Sequence, residues 1–144
     1  MNSYNGFSGE LRQRSWVWAK AEIKAGRQAP ASKCCACDQT EGPLDYHCED
    51  YSEPFGPHIF AFPMCYLCHM MVHCRFRNSE AWKRYREAIA GGITYAPAPG
   101  RSFDYFGSAF LVKYGTGVPF VQHDPPGERI LDNIEAGVYR KAAA

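Results

Sequence analysis

Two Cys-x-x-Cys pairs, Cys34/Cys37 and Cys65/Cys68, mark the stretch of this chain whose residue types are suited to chemistry. In such a pair two thiolates reach one tetrahedral ion while intervening backbone N–H groups offset their charge. The four sulfurs together therefore predict one structural Zn²⁺. Asp45, His47, His58, His69 and His73 share the stretch, and between Cys34 and His73 lie four of the five histidines and six of the seven cysteines. A metal centre concentrates these residue types in a way that core packing does not. Cys35 competes with Cys34 for the first pair, while Cys48 and Cys74 read as small core residues, with reserve ligation the alternative.

A second cation site is suggested by the histidines. His69 and His73 are four residues apart on an expected helix, so both imidazoles emerge from one face and can grip one divalent cation. Asp45 and His47 are two apart on an expected strand, so their side chains leave on the same side. Zinc joining the two Cys-x-x-Cys pairs would bring strand and helix together, with Asp45, His69 and His73 as ligands and His47 left to take a proton. Several alternatives stay open. His69 can serve the zinc in place of a cysteine, His73 can be an interfacial residue, His47 can be purely structural, and Glu49 or Asp50 can supply the carboxylate instead of Asp45.

The elements that must position these groups follow from local signals. Residues 8 to 26 read as a helix, with Ser8 as N-cap, Leu11, Ser15, Trp18, Glu22 and Ile23 at helical spacing, and Gly26 at the C-cap. At least one of Trp16, Val17 and Trp18 must pack inward, and Arg12, Arg14, Lys20, Lys24 and Arg27 make the remaining face basic. Gly42-Pro43 sets a turn, Leu44 to Cys48 is extended, and Ile59 to Phe62 is a second extended run closed by Pro63. A helix follows from Tyr66 to about Arg75, and another from Asn78 or Ser79 to Gly91-Gly92. From Ile93 onward the chain reads as an irregular extension with turn signals at Pro97-Ala98-Pro99-Gly100 and Asp124-Pro125-Pro126-Gly127. Its aromatics Phe103, Tyr105, Phe106 and Phe110 suit packing against the first helix better than base stacking, and His123-Asp124 reads as a turn.

Composition bounds the class. At 144 residues, 46% hydrophobic and 15% aromatic, the chain has the makings of one folded domain and excludes a disordered one. The parts are residues 1–33 (N-terminal helix), 34–77 (zinc core), 78–92 (helix) and 93–144 (extension). Net charge is only +1, so no global basic field points to nucleic acid. The distribution says more: residues 1–33 carry six Lys/Arg, residues 34–63 carry six acids and no Lys/Arg, and residues 64–101 carry six Lys/Arg against two acids. An acidic patch between basic arms suits a cation site beside a polyanion track. No apolar run approaches the roughly 20 residues of a membrane span, so a soluble, cytoplasmic protein without a membrane partner is expected. In that reducing setting the cysteines favour thiolate ligation over disulfides. A redox role for the Cys-x-x-Cys pairs would instead require reactive thiols.

The order Cys-x-x-Cys, a strand carrying an acid and a histidine, then Pro63-Met64-Cys65-Tyr66-Leu67-Cys68-His69 followed by His73, resembles the HNH family of nucleases. The resemblance covers residues 34 to about 77. It implies an α+β fold: a zinc-stapled ββα-metal (treble-clef) core with flanking helices and the irregular extension. It also implies a reaction, metal-dependent endonucleolytic hydrolysis of phosphodiester bonds in DNA, with RNA not excluded. His47 matches the general base that takes a proton from the attacking water. His69 and His73 match the holders of a catalytic Mg²⁺, Mn²⁺ or similar cation, which stabilises charge at the scissile phosphate and leaving 3′ oxygen. Asp45 stands in for a strand ligand whose family position is occupied here by Tyr46. The family's middle Asn has no counterpart in Ile59-Phe60-Ala61, leaving His58 as the polar residue available to orient His47 or bind metal. Arg75, Arg77, Lys83, Arg84 and Arg86 form the basic surface for the nucleic-acid backbone. The rival expectation is a catalytically inactive zinc-binding module that docks nucleic acid or a protein partner. A homodimer is compatible with either.

Overall fold

Ser8 ends the N-terminal segment and starts the first helix, α1 (Gly9–Lys24), by accepting a hydrogen bond from the Leu11 N–H at 3.1 Å. At the other end Gly26 sits at φ +74°, which a residue with a Cβ enters only with strain. The N–H groups of Gly26 and Arg27 then bond back to the carbonyls of Ile23 and Glu22, closing the helix in a Schellman turn. The computed structural model describes residues 1–28, 31–41, 44–60, 62–97 and 127–140. The Gly42-Pro43 turn, most of the Pro97–Gly100 and Asp124–Gly127 signals, the aromatics from Phe103 to Phe110 and His123-Asp124 lie outside the described residues.

α1 buries Ser15, Ala19 and Ile23, spaced one turn apart. Small residues at the first two positions let the helix approach Tyr46, Cys48, Tyr51 and Ile59 closely, with Trp16 and Trp18 covering the edges. Trp16 lies edge-on to Tyr46 and Trp18 tilts against Phe55, so both partly pack while Val17 stays exposed.

Two strands, β1 (Leu44–His47) and β2 (Phe62–Cys65), pair antiparallel with Asp45 opposite Met64 and His47 opposite Phe62. This corrects the expected second strand. Pro57–Phe60 is a 3₁₀ turn, and Pro63 lies inside β2 rather than ending it. The Pro63 carbonyl accepts from the Cys35 N–H at 2.7 Å, so that residue's backbone polar side faces away from β1. In an antiparallel strand the N and C=O of one residue point the same way, so the missing N–H costs no ladder bond.

β2 runs directly into α2 (Tyr66–Cys74), with Cys65 as its N-cap, and α2 buries Cys68 and Val72 on one face. α3 (Ser79–Ala90) starts at Asn78, whose side chain accepts from the Ala81 N–H, and buries Trp82, Tyr85 and Ile89. A fourth helix, α4 (Gly127–Ala136), corrects the expectation of a wholly irregular extension. Ile130, Leu131 and Ile134 are buried in the same core as Trp82, Tyr85 and Ile89, each contributing about 1.5–3 kcal/mol by burial. Arg86 of α3 pairs with Asp132 and Glu135 of α4, and the Trp82 indole N–H donates to Glu135. Among the described residues this is a small α+β fold of four helices and one two-stranded sheet. No described helix is long and apolar enough to cross a membrane.

Candidate metal centre

Cys34 and Cys37 sit on a tight turn closed by the Cys34 N–H to Gln39 carbonyl bond (2.9 Å) and the Asp38 N–H to Cys34 carbonyl bond (3.0 Å). Cys65 ends β2 and Cys68 lies in the first turn of α2, so the β2–α2 junction presents the second pair. All four are buried, and their sulfurs lie within 4.8 Å of one another. Four sulfurs at the Zn–S distance from a tetrahedral ion stand about 3.8 Å apart, and the Cys37 and Cys65 sulfurs are 3.8 Å apart. The four cysteines can therefore hold a metal ion such as zinc. Their titration points the same way. Hydrogen bonding from Cys34 foremost, then Cys65 and Cys68, holds the Cys37 thiol far below its ordinary range, while Cys34 and Cys37 push Cys65 and Cys68 far above theirs. The crowded sulfurs resist carrying several thiolate charges together unless a cation shares the site.

The competing cysteines separate cleanly. Cys35 turns away from the cluster, its thiol pushed up by burial and its N–H bonded to Pro63. Cys48 donates to the Asp50 carbonyl at 2.8 Å and Cys74 lies against the Met71 sulfur. All seven cysteines are free of disulfides.

A second group forms where β1 meets α2. His47, His69 and His73 each offer a ring nitrogen, and these nitrogens lie within 4.8 Å of one another. The Nε2 atoms of His69 and His73 are 3.0 Å apart. Asp45 Oδ2 lies 3.1 Å from His69 Nδ1, on the opposite edge of the ring from His73. Because a carboxylate only accepts, His69 carries a proton on Nδ1 and turns its Nε2 edge toward His73. The trio is thus His47, His69 and His73, and Asp45 stands behind His69 rather than among the three. His58 is elsewhere, its Nε2 bonded to the Ser52 carbonyl at 3.2 Å.

His47 is fully buried, and its Nε2 lies 2.7 Å from Glu49 Oε2, which places the proton on Nε2. That leaves Nδ1 a buried lone pair with no hydrogen-bond partner among the described residues. Burial, with smaller effects from His69 and Arg75, lowers the His47 pKa to about 4 against the pull of Glu49. Burial foremost, then the charges of His47, His69, Arg12 and Arg75, takes His73 to about 3. Both rings are therefore neutral near pH 7, the form that ligates a metal or accepts a proton.

Glu49, weighed from the sequence only as a substitute metal ligand, is the hub of a buried network. It is 2% exposed, and it accepts from the Tyr4 hydroxyl at 2.5 Å and from Arg75 at 2.8 Å. Burial alone would raise its pKa, but hydrogen bonds from His47 and Tyr4 and the charges of His47 and Arg75 hold it below the usual range. Tyr4 arrives on a type I′ turn, with Asn5 and Gly6 at φ 51° and 81° and reciprocal backbone bonds between Tyr4 and Phe7. The Asn5-Gly6 dipeptide is the one local signal for it. Its destination at Glu49, 45 residues away, carries none.

Two of the five basic residues expected at a nucleic-acid surface are engaged within the fold. The Arg75 side chain is 5% exposed and is committed to Glu49, the Tyr4 hydroxyl and the Val72 carbonyl. Arg86 is committed to Asp132 and Glu135. Arg77, Lys83 and Arg84 remain exposed. Comparison with protein-family models, curated proteins and solved structures returns no match to this chain.

Proposed function

We propose that this chain is a divalent-metal-dependent endonuclease of the HNH type, hydrolysing phosphodiester bonds in DNA on a ββα-metal core stapled by zinc. The observation that carries this proposal is the meeting of His47 from β1 with His69 and His73 from α2, the helix that also carries Cys68 of the four-cysteine cluster. Zinc bound by Cys34, Cys37, Cys65 and Cys68 would fasten the β2–α2 junction, and a Mg²⁺ or Mn²⁺ bound near His69 and His73 would neutralise charge developing on the phosphate.

The side chains supply the rest. Asp45 holds the His69 ring so that its Nε2 faces the site. Glu49 holds His47 with Nδ1 unprotonated, ready to take a proton from water, and an anionic phosphodiester nearby would raise its basicity from the resting value. Arg77, Lys83 and Arg84 offer exposed charge to the backbone, in contacts blind to sequence and weakened by salt.

The complete burial of His47 favours a second reading, a non-catalytic zinc module that docks nucleic acid or a protein partner, because attacking water must reach a base. One experiment separates the two: elemental analysis of the purified protein, followed by plasmid nicking with Mg²⁺, Mn²⁺ or Ni²⁺ by wild type, His47→Ala and His73→Ala. Metal-stimulated nicking lost in both variants supports the nuclease. Nicking unchanged in His47→Ala removes the base assignment, and no nicking with zinc retained supports the docking module.

A further inference from the structure

A cavity of 130 Å³ lies between α1 and the outer side of β1, lined by Arg12, Trp16, Tyr46, Tyr51, Ile59 and His69 among others. His69 belongs at once to this lining and to the histidine trio, so the cavity begins where the proposed phosphate site ends. None of its lining residues is acidic. Three of them are aromatic.

Arg12 supplies the polar edge. Its guanidinium lies over the rings of Tyr51 and Tyr4, at 5.0 and 5.4 Å, and its terminal nitrogens bond to the Tyr51 hydroxyl and the Asn2 carbonyl. Among the described residues its Nε–H has no acceptor. Each terminal nitrogen spends one N–H on these bonds and keeps a second for an acceptor on a ligand at the cavity edge.

We propose that this cavity is a nucleobase subsite that receives an unpaired base next to the cleaved phosphate, so that the substrate is nucleic acid with unpaired nucleotides rather than intact duplex. The inference rests on the nuclease reading of the histidine trio. Aromatic lining suits a base, the remaining terminal N–H groups of Arg12 match its carbonyl or ring-nitrogen acceptors, and the absence of acids suits a ligand attached to a polyanion. A space this small admits one base and not a base pair. The nucleotide must therefore be single-stranded or turned out of the stack.

The test uses the full chain with zinc and no other divalent ion, titrating a single-stranded deoxyoligonucleotide, its RNA counterpart and the blunt DNA duplex of the same sequence, read by tryptophan fluorescence and anisotropy. Wild type is expected to bind a single strand at least about 10-fold tighter than duplex, given the usual strength of base–aromatic stacking. That ratio should collapse in Trp16→Leu, return in Trp16→Phe, and fall in Arg12→Lys, which keeps the charge but loses the planar guanidinium fork. The DNA and RNA arms name the source of the base. Equal affinity for single strand and duplex, absence of binding, or a ratio untouched by the Trp16 and Arg12 variants overturns the subsite. Cleavage with Mn²⁺, run alongside, keeps the two proposals apart: duplex cleaved without preference sinks the subsite alone, while single-strand preference without cleavage sinks the nuclease alone.

Discussion

Breaking the Glu49–Arg75 pair by substituting one partner should destabilise the protein far more than removing both charges together. Glu49 is 2% exposed, the Arg75 side chain is 5% exposed, and their charged atoms are 2.8 Å apart. Glu49→Gln keeps the shape but leaves the Arg75 charge buried with only neutral acceptors, the amide oxygen, the Tyr4 hydroxyl and the Val72 carbonyl. Such a change costs about 3–5 kcal/mol. Arg75→Met leaves the Glu49 carboxylate with its bonds from Tyr4 and His47, and the cost should fall at the lower end of that range. In Glu49→Gln/Arg75→Met neither charge remains, so the double variant should be more stable than the sum of the single losses implies, with a coupling of roughly 1–3 kcal/mol. Urea unfolding with zinc in excess, at low and high salt, measures all three. The coupling should change little with salt because the pair is shielded from it. Additivity within about 0.5 kcal/mol, or single losses below about 1 kcal/mol, would refute a buried pair and return Arg75 to the list of side chains able to meet phosphate.

Other outcomes follow from the same geometry. Cys68→Ser should lower the zinc content of the purified protein, whereas Cys35→Ser should retain it, because the Cys35 N–H already faces Pro63 and its thiol is outside the cluster; elemental analysis decides. His47 and His73 titrate in the fold at about 4 and about 3, below their ordinary value of 6.5. A depressed histidine pKa means that the unfolded chain binds the proton first, so this stability is present above pH 6.5 and is lost as pH falls toward 4 and then 3. For His47 that drop corresponds to about 3 kcal/mol, and acid unfolding curves should have a shallower slope in His47→Gln. On the proposed nuclease reading, Arg84→Ala should weaken DNA binding and reduce its salt dependence with little change in stability. Arg86→Ala should do the reverse, loosening α4 from α3 as read by thermal melting.

Much of the local structure is legible in the chain itself. Ser8, Asn78, Gly26 and the Gly91-Gly92 pair announce helix ends because a cap acts within a few residues. The spacing of Cys34/Cys37 and Cys65/Cys68 is a geometric statement about two sulfurs reaching one ion, and His69 and His73 must share a face wherever the helix goes. The buried trio Ile130, Leu131 and Ile134 also has helical spacing, but it follows Asp124-Pro125-Pro126-Gly127, whose residue types favour a turn.

What depended on the fold was every partnership across a long stretch of chain. Pro63 enters a strand because its missing N–H faces Cys35 rather than β1, and only the pairing of β1 with β2 settles which way it faces. Asp45 falls behind His69, Glu49 behind His47, and Arg75 folds inward instead of outward. Residue type tells that a carboxylate can ligate, bond or pair. Which of these it does depends on the direction in which packing points it, and that direction belongs to tertiary structure.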